Sequence, residues 1–277
     1  MMNQLKVLIV LYNKKIEESE TIMSLSKIVD KIQFMNEIIV WDNSKVIMPE
    51  DEQVHLKRIL HPANVQYIGT GKNTSLSIIY NSVIRTLSDK EIFVVLDHDS
   101  NLTLAYFKAL EDSIEKYPQI NLFLPIIKYN KTIVSPANSW YFKGSYWKEE
   151  KFGLIETKNQ NAINSGMAIR ATYLKNDFEG YNENLAFYGT DSDFMYKYGR
   201  QNHYFCVINA VINHTLDFFD NNSIDSKLFR YKEIKKAALI NMKQRGFFIY
   251  MLCYFYFLIY SIKLIISFKD IRFLTLK

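Results

Sequence analysis

The chain has 277 residues, 48% of them hydrophobic and 23% charged, which suits one large globular α/β domain with or without an appendage. Its net charge of +5 is uneven, because the segment from residue 226 onward carries eleven Lys and Arg residues against two acidic ones, while the rest carries −4. Two cysteines exclude a disulfide framework and a cysteine-based zinc site, and the N-terminus lacks a secretory signal, so we expect a cytoplasmic protein body.

Three short apolar runs predict buried parallel strands. They cover residues 5–12, 37–41 and 91–96, and each is rich in β-branched residues and apolar on both faces. A strand covered by helices on both sides has this pattern. Helical stretches over 17–32 and 74–88 lie between the runs, and this alternation predicts a doubly wound α/β domain.

Polar residues follow each of these strands. Asn13 follows the first strand, Asp42 ends the second run, and the cluster 97–100 follows the third. In open α/β sheets, ligands bind beyond the carboxyl ends of the strands. We therefore expect these side chains to surround one crevice.

The rest of the chain continues the α/β pattern. We expect strands over 122–127 and 204–212, helices over 191–200 and 226–245, and a loop-rich region over 130–160.

Aromatic residues are concentrated in the loop 140–147. These aromatic side chains can contact a ligand or form a packed lid.

The C-terminal segment is apolar as well as basic. Residues 247–262 carry no charge before Lys263 interrupts the run, and sixteen residues fall short of the roughly 20 that span a bilayer. We expect one or two helices lying at a membrane interface; a transmembrane helix and a helix packed on protein are the alternatives. The mixture of basic and apolar residues favours an anionic membrane surface over nucleic acid.

Asp97 and Asp99 form a D-x-D sequence directly after the third strand. Two such carboxylates can hold Mg²⁺ or Mn²⁺ and bridge the metal to substrate phosphates. The alternative is that Asp99 or Ser100 caps a helix near 103–115. The position behind a buried strand favours the metal site.

A second pair of acids, Asp191 and Asp193, begins the helix expected over 191–200. The two acids can favour the helix dipole and cap its first turn, or one of them can serve as a general base toward a hydroxyl. The spacing does not decide between these roles.

Six segments follow one another in an order typical of a known family. They are VLIVLYN, IIVWDNS, NVQYIGTGKNTSLSIIYNSVI, FVVLDHDS, NSGMAIR and GYNENLAFYGTDSDFMYKYG. The chain thereby resembles the family-2 inverting glycosyltransferases over about residues 5–245, especially rhamnosyltransferase-like members of bacterial polysaccharide synthesis. The resemblance implies a GT-A type, Rossmann-like nucleotide-diphospho-sugar transferase domain over 1–225. The basic and apolar composition described above predicts a membrane-associating helical segment over 226–277.

The resemblance also implies the residues of the donor site. The nucleotide-sugar would contact Tyr12, Asn13, Asp42, Asn73 and Asp97. The metal would be held by Asp97, Asp99 and His214, and for His214 a satisfied strand-end histidine is the alternative. Basic residues of the C-terminal helix, namely Arg230, Lys235 and Lys236, would contact diphosphate or lipid headgroups, or be solvated.

On the acceptor side, the resemblance implies contacts from Asn164, Ser165 and Gly166. Because sugar rings stack on aromatic faces, Trp140 of the loop 140–147 is also expected to face the saccharide acceptor, and a packed lid is the alternative. Asp191 matches the catalytic base, and Asp193 is the alternative, because Thr190 stands where many members carry an acid.

The implied activity is metal-dependent, inverting transfer of a sugar from a UDP- or dTDP-sugar to a hydroxyl of a lipid-linked saccharide. It would take place at the cytoplasmic face of the inner (plasma) membrane, during O-antigen (lipopolysaccharide) or capsule synthesis. Two alternatives remain. A sugar nucleotidyltransferase usually has a Gly-rich basic loop after the first strand, and LYNKKIEESE has no glycine. A membrane-attached carbohydrate-binding or scaffolding protein would use a degenerate transferase fold.

Overall fold

The structure is a computed structural model that describes residues 4–214 and 223–274. Its strands are β1 (Gln4–Leu11), β2 (Met35–Asp42), β3 (Asn64–Gly69), β4 (Glu91–Asp97), β5 (Ser100–Asn101), β6 (Leu122–Tyr129), β7 (Thr132–Ser135), β8 (Ala137–Trp140), β9 (Lys143–Tyr146), β10 (Gly153–Glu156), β11 (Gln160–Asn161), β12 (Met167–Arg170) and β13 (Tyr204–His214). Its α-helices are α1 (Glu20–Leu25), α2 (Glu50–Ile59), α3 (Leu76–Ile84), α4 (Leu104–Lys116), α5 (Ala171–Asn176), α6 (Thr190–Gln201), α7 (Ile224–Gln244) and α8 (Phe247–Phe268).

The main sheet is mixed, in the order β10-β13-β6-β12-β4-β1-β2-β3. The half formed by β4, β1, β2 and β3 is parallel throughout, whereas β12 runs antiparallel to both β4 and β6. The predicted α/β class is therefore confirmed, and the antiparallel β12 adds to the predicted parallel series. Because β1 and β4 are adjacent, their carboxyl ends open on the same edge.

Helices cover both faces of this sheet, as the apolar runs predict. In β1, Val7 and Ile9 pack into one core with α4, while Leu8 and Val10 pack into the other with α3, α5 and α6. All four side chains are buried. A strand with two buried faces shows no polar alternation, which is why β1, β2 and β4 are recognisable from sequence.

Strand β3 was not among the predicted strands. Its burial alternates between exposed and half-buried positions, and it lies at the sheet edge next to β2. An edge strand carries polar residues such as Asn64 and Gln66, so it lacks a continuous apolar run. The parallel series thus has four strands rather than three.

The helix expected over 17–32 is wrong in detail. The segment contains the short α1 between two 3₁₀ turns, Ile16–Glu18 and Val29–Lys31. Ser19 caps α1 by accepting a hydrogen bond from the backbone N–H of Ile22. The hydroxyl residues at the start of α1 also bind the loop after β4, as described below.

The region expected to be loop-rich over 130–160 contains short strands. β7 extends the main sheet beside β6, β10 pairs with β13, and β8 pairs with both β9 and β11 in a separate three-stranded sheet. The strands over 122–127 and 204–212 correspond to β6 and β13, and those predictions are confirmed.

The C-terminal helices α7 and α8 fold back on each other around a third apolar cluster. Tyr231 of α7 donates to the carbonyl oxygen of Phe257 in α8 at 3.0 Å, and Cys253 and Phe273 are buried between the helices. Among the described helices, α8 alone is long and apolar enough to cross a membrane, by length and composition. Its opposite face is exposed.

Candidate active site

A cleft of about 570 Å³ opens at the carboxyl ends of β1 and β4. Tyr12 follows β1, Asp97 ends β4 with Asp99 just after it, and Asp191 lies in the first turn of α6, so the cleft joins three distant parts of the chain. Helix α7 closes one side, where Arg230 lines the cleft. A crevice is therefore present at the strand ends, and the 97–100 cluster contributes to it, but the predicted Asn13 and Asp42 do not line it.

The backbone of the D-x-D turn is held by hydroxyl groups from the start of α1. Thr21 donates through Oγ1 to the carbonyl oxygen of Asp97 at 2.5 Å, and Ser19 donates to the carbonyl oxygen of His98 at 2.9 Å. The backbone N–H of Ser100 in turn donates to Thr21 Oγ1 at 2.9 Å. These bonds hold in place the backbone from which the side chains of Asp97 and Asp99 extend.

Neither Asp99 nor Ser100 caps helix α4. Thr103 is the N-cap residue, and no side-chain hydrogen bond caps the helix there. Ser100 instead shares a hydrogen bond of 2.7 Å with Ser165 through the two hydroxyl groups. Helix capping therefore does not explain the D-x-D sequence.

The possible metal ligands in the cleft suit a divalent cation such as Mg²⁺ that is bound together with a phosphate group. Within 4–214 and 223–274, no group of three or more His, Cys, Asp and Glu side chains is clustered to hold a metal. Asp97 and Asp99 supply two carboxylates in the cleft, and Mg²⁺ commonly uses one or two carboxylates plus water and substrate phosphates. His214 ends β13, and its backbone pairs with Ser100, but its side chain lies outside what the structure describes.

Asp191 and Asp193 have different surroundings. Asp193 is buried, and its Oδ2 accepts from the backbone N–H of Asn182 at 3.0 Å and from Lys197 Nζ at 2.9 Å. Its Oδ1 accepts from Gln244 Nε2 at 3.3 Å. The Asp193 carboxylate is thus committed to contacts that join α6 to the preceding loop and to α7.

Asp191 lines the cleft, and its Oδ1 accepts from the backbone N–H of Ser192 at 2.7 Å. Burial raises the pKa of Asp191 from 3.8 to about 6, and the negative charge of Asp97 acts in the same direction. A carboxyl group with that pKa exchanges a proton near neutral pH.

Helix α7 presses against the start of α6, where Asp191 lies. Gly189, the N-cap of α6, has a φ of +78°, and its carbonyl oxygen accepts from Asn241 Nδ2 at 2.9 Å. A Cβ on Gly189 would lie 2.9 Å from the Cβ of Ala237. A residue with no side chain is therefore required where α7 approaches α6.

The residues predicted to bind nucleotide divide into two groups. Tyr12 and Asn73 line the cleft, as does Asp97. Asp42 is instead buried, and it accepts hydrogen bonds from Tyr67 Oη at 2.7 Å and from two backbone N–H groups of the following loop. Asn13 donates its backbone N–H to Ser44 Oγ at 2.8 Å, so it belongs to the same loop framework.

Asn43 was missed by the sequence analysis, although it lines the cleft. Its Nδ2 donates to Asn73 Oδ1 and to the carbonyl oxygen of Thr74, both at 2.9 Å, and its Oδ1 accepts from the N–H of Thr74. Asn43 thereby joins the loop after β2 to the loop before α3. The sequence feature that could have identified Asn43 is its position directly after Asp42.

The predicted acceptor residues also divide. Asn164 lines the cleft and donates through Nδ2 to Thr190 Oγ1 at 3.0 Å. Ser165 is buried, and Gly166 has a φ of +77° with Pro125 2.8 Å from where its Cβ would be. Trp140 is 55% exposed on β8 and borders a separate surface depression, so the structure does not bring it to the cleft.

The basic residues of α7 have three different environments. Arg230 lines the cleft, Lys236 is exposed, and Lys235 is buried with its Nζ 3.5 Å from Ser261 Oγ of α8. Burial lowers the pKa of Lys235.

Solved structures of other proteins share this architecture. Staphylococcus aureus TarS (residues 1–349) aligns with a TM-score of 0.58 and 15% identity over 86% of this chain and 65% of that one. The chain has the GT-A fold. It aligns with GalNAc-T7, solved with UDP, GalNAc and Mn²⁺, at a TM-score of 0.57 and 14% identity over 77% of this chain and 44% of that one.

A third GT-A neighbour is the mannosyltransferase PcManGT from Pyrobaculum calidifontis, solved with GDP-Man and Mn²⁺. It aligns with a TM-score of 0.55 and 10% identity over 89% of this chain and 66% of that one. The chain thus spans less than two thirds of the length of these neighbours. No protein-family model and no curated protein matches the sequence, so the likeness lies in the GT-A fold alone.

Proposed function

We propose that the chain is a glycosyltransferase that moves a sugar from a nucleoside-diphosphate sugar to an acceptor hydroxyl. The observation that carries the proposal is the placement of Asp191 in the same cleft as Asp97 and Asp99, at the strand ends of a GT-A fold. The structures of TarS with UDP-GlcNAc and of PcManGT with GDP-Man, both similar in fold, support a nucleotide-sugar donor.

In this proposal, Asp97 and Asp99 hold Mg²⁺ or Mn²⁺ together with the donor's diphosphate. The metal, when bound, offsets the negative charge that develops on the leaving diphosphate. The Mn²⁺ in the GalNAc-T7 and PcManGT structures supports a divalent cation. Tyr12, Asn43 and Asn73 border the nucleotide, which we take to be UDP or dTDP, and Arg230 faces the cleft from α7.

Asp191 is proposed as the general base. The acceptor hydroxyl oxygen attacks the anomeric carbon, its proton passes to the Asp191 carboxylate, and the bond from that carbon to the diphosphate oxygen breaks. The nucleoside diphosphate leaves, and the single displacement inverts the anomeric centre. Asp193 suits this role poorly, because Lys197 and Gln244 already occupy its oxygens.

We further propose that the acceptor is a lipid-linked saccharide at the cytoplasmic face of the plasma membrane. The exposed apolar face of α8 and the basic segment from residue 226 support membrane association. A role in O-antigen or capsule assembly follows from the resemblance to rhamnosyltransferase-like proteins.

The test is thermal unfolding of the purified protein with Mn²⁺ and a panel of UDP-, dTDP- and GDP-sugars. A ligand that binds only the folded state raises the midpoint, by an amount that corresponds to about 2.7 kcal/mol at one hundred times its Kd. We expect one nucleotide class to give a metal-dependent shift that Asp99→Asn removes. Asp112→Asn, at an exposed position on α4, is the matched control and should keep the shift.

A well-folded protein that shows no shift with any nucleotide would contradict the proposal. In that case, the fold would serve a carbohydrate-binding or scaffolding role without a donor.

A further inference from the structure

A second cavity, of about 290 Å³, adjoins the cleft. Tyr188, Gly189 and Asp191 border both spaces. The second cavity is enclosed by the β8–β9 hairpin, by β11, by the start of α6 and by the two C-terminal helices. None of the functional roles assigned above uses it.

The two halves of this cavity differ in chemistry. The hairpin side is polar: Asn138 and Ser139 lie on it, and Asn161 donates through Nδ2 to Ser192 Oγ at 3.1 Å. The side formed by the C-terminal helices is apolar, with Ile234, Ala238 and Met242 from α7 and Phe257 from α8. Phe142 of the hairpin adds to this apolar side.

Asn241, which lines the same space, carries a buried polar atom. Asn241 is only 5% exposed, and its Nδ2 is occupied by the carbonyl oxygen of Gly189. Its Oδ1 has no hydrogen-bond partner within the described part of the chain. A buried acceptor left unpaired is costly, so a ligand hydroxyl that donates to Asn241 would satisfy it.

The direction of attack connects the two spaces. In an inverting displacement, the hydroxyl approaches the anomeric carbon from the face opposite the leaving diphosphate. The diphosphate belongs beside Asp97 and Asp99, so the acceptor must approach the opposite face of the donor sugar, with its hydroxyl within reach of Asp191. The second cavity borders Asp191, and neither Asp97 nor Asp99 lines it.

We propose that the second cavity is the acceptor site and that it takes an amphiphile, with a sugar ring against its polar half and hydrocarbon between α7 and α8. This inference rests on the proposed transferase function. Hydrocarbon attached to the sugar would lie against Phe257, on the face of α8 that packs against α7, and the exposed apolar face of α8 lies opposite. Helices α7 and α8 then form a wall of the active site as well as the membrane contact.

Binding of alkyl glycosides tests the inference without requiring turnover. Methyl, butyl and hexyl glycosides of glucose, galactose, rhamnose and N-acetylglucosamine are titrated by ligand-observed NMR, below the concentrations at which they form micelles. We expect at least one sugar series in which the Kd falls at least tenfold from methyl to hexyl, since each buried methylene strengthens binding by up to about fourfold.

The cavity is then filled by Ala238→Phe, and Ala238→Ser serves as the matched variant of nearly unchanged size. The gain from methyl to hexyl should fall below twofold in Ala238→Phe and stay within twofold of wild type in Ala238→Ser. Ile234→Phe fills the same wall and replaces Ala238→Phe if that variant does not fold.

The alkyl chains can also bind to the exposed face of α8 instead of the cavity. Ile259→Ser distinguishes these two binding sites, because Ile259 is 69% exposed on that face. If chain-length dependence is lost in Ile259→Ser and kept in Ala238→Phe, the inference is overturned. The absence of chain-length dependence in every series also overturns it. The nucleotide-dependent shift of the wild-type protein distinguishes these failures from a failure of the transferase proposal.

Discussion

At the scale of single residues, Asp191 and Asp193 differ in what their carboxylates are free to do. Both lie in the first turn of α6, yet Asp193 is buried against Lys197 while Asp191 faces the cleft. Their positions in the sequence are equivalent for helix capping, so only the tertiary contacts separate a structural acid from a candidate base.

Asp191 sets a pH limit on the proposed activity. Only the deprotonated carboxylate accepts the hydroxyl proton, and burial raises the pKa of Asp191 to about 6. We expect kcat/KM to fall about tenfold per pH unit below that value. Asp191→Asn should lower kcat by about 10²–10⁴-fold above pH 7, and the difference should narrow at lower pH, where the wild-type carboxylate is protonated. A variant that kept the wild-type acid limb would rule out Asp191 as the base.

The same pKa shift predicts an effect on stability. The pKa of Asp191 is higher in the folded protein than its ordinary 3.8, so folding binds protons, and stability falls as the pH rises from about 4 through about 6. Asp191→Asn should therefore raise the free energy of unfolding by about 1–2 kcal/mol at pH 7.5. Urea unfolding at pH 7.5 and at pH 4 measures this, and an equal gain at both pH values would contradict it.

Asp193 gives the opposite expectation. Asp193→Ala leaves the Lys197 ammonium, the Asn182 N–H and the Gln244 amide without their acceptor. We expect the free energy of unfolding to fall by about 2–4 kcal/mol, because a mostly buried charge loses its partner. Urea unfolding measures the free energy of unfolding of Asp193→Ala and of Asp191→Asn side by side. A loss in Asp193→Ala of under about 0.5 kcal/mol, as for a surface substitution, would refute the structural role of Asp193.

At the scale of elements, burial decides what the sequence predicts. β1, β2 and β4 are predictable because both faces are covered, whereas β3 at the edge and β8, β9 and β11 in the small sheet lack continuous apolar runs. The helix expected over 17–32 fails for another reason. Its Ser and Thr side chains bind the D-x-D loop, a tertiary contact that helical periodicity cannot reveal.

The contact between α6 and α7 predicts that alanine substitutions of two glycines differ in their effect on stability. Gly189 is the N-cap of α6, and Gly199 lies within the helix. Gly189→Ala places a Cβ at positive φ and 2.9 Å from Ala237, so we expect a loss of about 1–3 kcal/mol in the free energy of unfolding. Gly199→Ala is the matched control, because the nearest atom to its Cβ is at 3.5 Å. It should raise stability by about 0.5–1 kcal/mol.

Equal effects of the two glycine substitutions in urea unfolding would show that α7 does not press on Gly189. Donor-dependent turnover should also fall in Gly189→Ala alone, since displacement of the α6 start moves Asp191.

At the scale of the whole molecule, the site joins segments that are far apart in sequence. The strand ends place Asp97 and Asp99 at one sheet edge, which the sequence predicts from topology. The approach of α7, through Asn241 and Gly189, depends on how the C-terminal helices dock. No local pattern encodes that docking, so the second cavity could not be predicted from the sequence.

The outer face of α8 carries a stripe of exposed apolar residues at alternating spacings of three and four. Its members are Phe248, Leu252, Phe255, Ile259, Ile262 and Ile266. This spacing places them on one side of the helix, opposite the buried Cys253 and Phe257. Because the segment from residue 226 is also basic, we expect binding to anionic vesicles that is stronger than to neutral ones and that weakens with added salt.

Replacing Phe255 and Ile259 with Ser removes two large side chains from this stripe, and the burial of each is worth about 1.5–3 kcal/mol. Sedimentation with anionic vesicles should show at least a tenfold weaker association. Val54→Ser is the control, because Val54 is 67% exposed on α2, outside the stripe. If the double variant sedimented like the wild type, α8 would not be the membrane contact, and its exposed stripe would instead suit a second protein surface.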